Sequence, residues 1–194
     1  MTSLDVRLPL AVPTPAGWAD VALADLDAFL LDHASCERKA AASALGLIAR
    51  HSRLAPVVEP MVALAREELE HFGQVYRLIQ RRGLTLGQDE PDPYVNRLLA
   101  GVRSESKLLD RLLASALIEA RSCERFRLAA EALADPELQD FYVALHRSEA
   151  GHYRVFVRVA ERLYPEADVA AALSRLVEIE ADAMLATPFR PAVH

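Results

Sequence analysis

The chain is short of the residues that punctuate or staple a fold. It holds 7 glycines in 194 residues, too few for the many left-handed turns of a strand-rich protein. Its 2 cysteines, Cys36 and Cys123, make no Cys-x-x-Cys pair. That leaves no disulfide framework and no zinc or rubredoxin-type knot. No uncharged apolar run approaches the roughly 20 residues of a membrane span, and no basic-then-apolar leader opens the chain, so a cytoplasmic protein is expected. A positive surplus is missing too. With 22 basic and 28 acidic residues the formal charge is −6, which excludes a general nucleic-acid coat but leaves room for a local basic face.

What remains is helix-forming. Hydrophobic residues make up 52% of the chain, and alanine, leucine, arginine and glutamate recur throughout. Residues 1–17, with Pro9, Pro13, Pro15 and Gly17, read as an irregular arm. Apolar positions at helical spacing predict helix one from Trp18 to His51, broken by Pro56 and Pro60. Helix two is expected from Val57 to Arg82, stopping at Gly83 in the left-handed cap position. A long link over 83–105 carries one short periodic piece, Tyr94–Val102. Helix three then runs from Glu105 to Ala134, and helix four from Asp135-Pro136 to Leu163. Residues 166–186 form a fifth, shorter helix, so that 166–194 is a C-terminal helix and tail. Hairpin, long link, hairpin is the layout of an all-α, ferritin-like four-helix bundle with one long crossover, and 1–194 reads as a single domain.

Two Glu-x-x-His pairs stand out, Glu68 with His71 and Glu149 with His152. Residues i and i+3 share a helix face, so each pair can hold one metal ion. At this glutamate and histidine content chance supplies about half of one such spacing, so partner glutamates in register decide the matter. On helix one the inward seam is Leu26, Leu30, His33, Glu37, Ala40, Ala44 and Leu47, and a carboxylate at a core position needs a partner. On helix three it is Leu109, Leu112, Ala116, Glu119, Cys123, Phe126, Ala130 and Leu133. The tetrapeptide Ser-Cys-Glu-Arg occurs at both Ser35–Arg38 and Ser122–Arg125, and so offers Glu124 as an alternative. Register favours Glu119. Glu37 precedes Glu68 and His71 by 31 and 34 residues, Glu119 precedes Glu149 and His152 by 30 and 33, whereas Glu124 precedes Glu149 by 25. A seam through Glu124 would also bury Arg127 and Glu131. One glutamate from each of two helices and Glu-x-x-His from the other two is the di-iron or di-manganese carboxylate arrangement.

Weaker signals accompany it. His33 and His146 lie one turn from Glu37 and Glu149 and are placed to orient them, or to serve as ordinary core histidines. Cys36 and Cys123 read as small buried hydrophobes. Arg50, His51 and Arg53 cluster at one hairpin end, and Arg77, Arg81 and Arg82 at the far end of helix two. Such clusters ordinarily answer the helix dipole, and phosphate contact is the functional reading.

The strings DHASCERKAA, LAREELEHF, IEARSCERF and SEAGHYRVF, in this order between Leu26 and Leu163, resemble the tRNA hydroxylase family MiaE. The resemblance implies a non-haem di-iron monooxygenase that hydroxylates the isopentenyl group of 2-methylthio-N6-isopentenyladenosine beside the tRNA anticodon. Matched by position, its iron ligands fall on Glu37, Glu68, His71, Glu119, Glu149 and His152. It implies two Fe ions, O2 and an external reductase or ferredoxin, because the chain carries no flavin or nicotinamide motif. A ferritin-like iron-oxidising protein, or a di-iron oxidase with another substrate, would use the same donor set. Nothing in the sequence sets an oligomeric state.

Overall fold

A computed structural model describes residues 8–103 and 105–194, so the first seven residues of the expected arm and Ser104 of the link lie outside the described residues. Seven helices form among the described residues: α1 (Trp18–Ala22), α2 (Leu26–Arg50), α3 (Ala55–Arg81), α4 (Pro93–Ala100), α5 (Lys107–Ala132), α6 (Pro136–Leu163) and α7 (Glu166–Leu185). Residues 8–17 carry no helix, as expected of the arm.

The local chemistry explains the boundaries. The expected first helix is two, because the Asp25 carboxylate accepts from the Ala28 amide at 3.0 Å and starts α2 afresh. The break expected through Pro60 is absent. Pro56 sits in the first turn of α3, where its missing N–H costs nothing, and Pro60 is carried inside the helix. Gly83, at φ 72°, ends α3. The Gly83 amide donates to the Gln80 carbonyl at 3.0 Å and the Leu84 amide to the Ile79 carbonyl at 3.1 Å, the two bonds of a Schellman cap. Asp92 caps α4 through the Val95 amide at 3.0 Å, and Asp135 caps α6 through the Glu137 amide at 2.8 Å.

The chain divides into two compact units. One comprises the arm to Asp20, Pro91–Phe189 and His194; the other comprises Val21–Glu90 and Arg190–Val193. In the second, the short connection makes α2 and α3 antiparallel neighbours. The segment after α3 is tied to the outer face of α2, where Asp89 accepts from Ser35 and from Arg38. Asp32 of α2 accepts from the Val193 amide at 2.8 Å.

In the first unit α5 is central, with α6, α7 and α4 all packing against it. Contact on several sides buries α5 almost all round, well beyond the single seam that an amphipathic reading expects. Gly151 of α6 is exposed, and an added Cβ would meet nothing within 4 Å. Glycine in a helix interior loses backbone entropy for no packing return, so Gly151→Ala is expected to stabilise the protein by about 0.5–1 kcal/mol, read as a raised urea midpoint.

Candidate metal centre

Each unit builds one half of the expected donor set on its long hairpin. In the α2–α3 unit, Glu37, Glu68 and His71 are all buried, at 4%, 1% and 8% exposure, where ionisable groups belong only with strong partners. His71 Nδ1 stands 3.6 Å from Glu37 Oε2 and 3.7 Å from Glu68 Oε2. These separations exceed a hydrogen bond and suit donors arranged around a shared cation. The other Glu37 oxygen is held at 2.7 Å by His33 Nε2, one turn back on α2. That contact fixes the orientation of the carboxylate, as supporting hydrogen bonds do around metals.

In the α5–α6 unit, Glu119, Glu149 and His152 are likewise buried, and His152 Nδ1 lies 3.0 Å from Glu149 Oε2. His146 is buried a turn before Glu149 but serves the helix pair. Its Nδ1 donates to the Cys123 carbonyl at 2.8 Å, while Cys123 Sγ donates to the His146 carbonyl at 3.2 Å. This reciprocal pair locks α5 to α6 beside the carboxylates. Three hard oxygen or imidazole donors recur in each unit without a thiolate among them, and that set fits iron or manganese.

Glu124 is buried too, at 8% exposure, so burial does not separate it from Glu119. Its partners do. Glu124 Oε2 accepts from Thr14 Oγ1 at 2.6 Å and from Arg121 Nη1 at 2.5 Å, and the carboxylate also accepts from the Thr14 amide. Arg121, fully buried, reaches Glu180 of α7 with two nitrogens at 2.8 and 2.9 Å and the Val12 carbonyl at 3.0 Å. Tyr94 donates to the same Glu180 at 2.9 Å. Burial, then the charge of Glu180, pushes the Tyr94 phenol well above its ordinary value and keeps it a neutral donor. Glu124 of the second Ser-Cys-Glu-Arg and Arg121 just before it therefore anchor the N-terminal arm and α7 to α5. Sequence reasoning missed this network because, apart from Arg121 with Glu124, it rests on pairs 59 to 110 residues apart. Arg127 and Glu131 pair on the outside at 2.7 Å.

Cys36 departs from expectation: it is half-buried, with Sγ 3.7 Å from Asp32 Oδ2. Cys123 is enclosed, and burial, reinforced by the charge of Glu149, pushes its thiol up to about 12. A thiol-reactive dye at pH 8 is expected to modify one cysteine, Cys36, in the native protein and both after unfolding. Rapid reaction of Cys123 in the folded protein would contradict its enclosure. Of the basic clusters, Arg82 is occupied by Asp27, with Nε 2.5 Å from Oδ1.

Helical elements without strands among the described residues, with a buried glutamate and a Glu-x-x-His on each of two long hairpins, give the chain the ferritin-like fold, a class of bundles whose facing carboxylates and imidazoles can hold metal ions. Residues 3–194 match the family tRNA-(MS[2]IO[6]A)-hydroxylase (MiaE), and the chain belongs to that family. A Pseudomonas putida protein named tRNA 2-(methylsulfanyl)-N(6)-isopentenyladenosine(37) hydroxylase is 44% identical over 175 residues, covering 88% of this chain and 85% of the relative. A Salmonella typhimurium protein of the same name is 40% identical over 131 residues, covering 66% of this chain and 48% of the relative. Among solved structures, a Synechococcus protein described as having aldehyde deformylating oxygenase activity superposes with a TM-score of 0.90. It shares 38% identity and is matched over 97% of this chain and 96% of its own. No helix among the described residues is long and apolar enough to cross a membrane.

Proposed function

We propose that the protein is a cytoplasmic non-haem di-iron monooxygenase hydroxylating the isopentenyl group of 2-methylthio-N6-isopentenyladenosine in tRNA, with the whole chain acting as one domain. The observation that carries this reading is the recurrence of a buried Glu plus Glu-x-x-His on each hairpin of a chain in the tRNA hydroxylase family. Glu37, Glu68 and His71 from one unit and Glu119, Glu149 and His152 from the other are the ligands. Four carboxylates balance the charge of two ferrous ions, which supports iron within this donor set.

When bound, the iron pair supplies the O2 activation that an unactivated C–H bond requires. One oxygen atom enters the substrate, and the other leaves as water with two electrons from an external reductase or ferredoxin and two protons. The protein's own residues do the positioning. His33 holds one oxygen of Glu37, leaving the other turned toward His71. The Cys123–His146 pair fixes the register of α5 against α6, and with it Glu119 relative to Glu149.

Nucleoside mass spectrometry of tRNA from cells with and without the gene tests the reading. Loss of the hydroxylated base on deletion is expected, and its persistence would overturn the assignment. The Synechococcus similarity favours a second reading, an oxygenase acting on an aldehyde. Iron-loaded protein with a competent donor is expected to turn over prenylated tRNA and not an aldehyde. The opposite result would select the second reading.

A further inference from the structure

The face of α6 turned away from its buried carboxylate and imidazole is basic. Arg147, Arg154, Arg158 and Arg162 are all exposed and follow at intervals of 7, 4 and 4 residues, which on an α-helix is one stripe. At 1.5 Å per residue the stripe is about 22 Å long, with the last three arginines about 6 Å apart. Arg154, Arg158 and Arg162 hold no ion pair among the described residues. The one exposed carboxylate on this stretch is Glu161, at the stripe's edge. Exposed Gly151 lies within the stripe and leaves the helix backbone open between Arg147 and Arg154.

A solvated helix face normally mixes signs, with glutamate opposite arginine at i, i+4, as Arg127 and Glu131 do on α5. The α6 stripe keeps three neighbouring arginines unpaired in a chain whose formal charge is −6. Concentrating positive charge where it repels itself has a cost in the free protein that a bound polyanion removes. Arginine also presents a planar fork that matches phosphate oxygens.

We propose that the exposed stripe Arg154–Arg158–Arg162 of α6, continued by Arg147, is a docking surface for the phosphate backbone of an RNA strand. The inference rests on the tRNA reading given above and adds the surface that holds the RNA. It moves the principal phosphate contact away from the hairpin-end clusters, of which Arg82 is already paired with Asp27. Contacts of this kind position the substrate without reading its sequence.

The test is binding of the full-length protein to a tRNA anticodon stem-loop, followed by fluorescence anisotropy across a salt series. The triple variant R154Q/R158Q/R162Q is compared with wild type and with a control, R50Q/R53Q. The triple variant is expected to bind at least about tenfold more weakly near 0.1 M salt, with a log–log salt slope shallower by about 2–3. Its iron content and helical signal should equal wild type, because the stripe touches neither half-site. Wild-type affinity and slope in the triple variant, beside a weakened control, would overturn the stripe and leave the tRNA reading standing. A wild type that binds no stem-loop would overturn both. Stripe-dependent binding to anionic phospholipid vesicles without RNA binding would overturn the RNA assignment.

Discussion

Glu119→Ala is expected to lose most of the bound iron and to leave no measurable hydroxylation, whereas Glu124→Ala keeps its iron and melts earlier. Both side chains lie on α5 and both are buried. Glu119 shares the α5–α6 unit with Glu149 and His152, so its loss would remove one carboxylate donor from the proposed centre. Second-site effects on such a centre already cost 10–100-fold in metal affinity, and deleting a ligand costs more. Glu124 is spent otherwise. Its oxygens hold Thr14 and Arg121, so its loss frees the arm and removes one anionic partner from a buried guanidinium. Roughly 2–3 kcal/mol of stability should go with it. Iron analysis after anaerobic ferrous loading, together with urea unfolding, separates the two variants. An iron-free Glu124→Ala beside an iron-loaded Glu119→Ala would reverse the ligand choice.

Arg121→Ala should be the most damaging single change outside the proposed metal ligands. Burial works against this charge, but the hydrogen bonds and charge of Glu180 outweigh it and hold the guanidinium above its ordinary pKa. Its removal strips Glu180, at 0% exposure, of its guanidinium hydrogen bonds and leaves it the Tyr94 hydroxyl and the nearby charge of buried Arg125. Breaking a buried ion pair by removing one partner costs about 3–5 kcal/mol, and for a chain of this size that lowers the melting temperature by roughly 10–15 °C. The double variant Arg121→Met with Glu180→Leu should recover much of the loss, since neither charge is then stranded. A thermal melt of the three proteins checks this. Equal destabilisation in the single and double variants would mean that packing, rather than charge pairing, holds α7 to α5.

The helices and the burial of both Glu-x-x-His pairs were legible in the sequence because both depend on local spacing. A 3.6-residue period shows on which face Glu68 and His71 fall, and Gly83 announces its own left-handed cap. Caps made by single side chains were less visible. Asp25 divides the first helix and Pro56 opens the third, because one hydrogen bond or one missing N–H outweighs a hydrophobic pattern that continues through them.

The role of Glu124 could not be read that way. Periodicity assigns a helix one buried face, and α5 has several, since α4, α6 and α7 all pack on it. Whether a glutamate on such a helix turns to a metal or to an arginine depends on what the rest of the chain brings alongside. Thr14 and Glu180 arrive from 110 residues before Glu124 and 59 residues after Arg121. The sequence by itself determined the helical class, the family and the spacing of the donor set, all carried by residues within a few turns of one another. Only the tertiary structure decided which buried charges answer each other, because pairing at low dielectric is set by proximity in space, which sequence separation does not record.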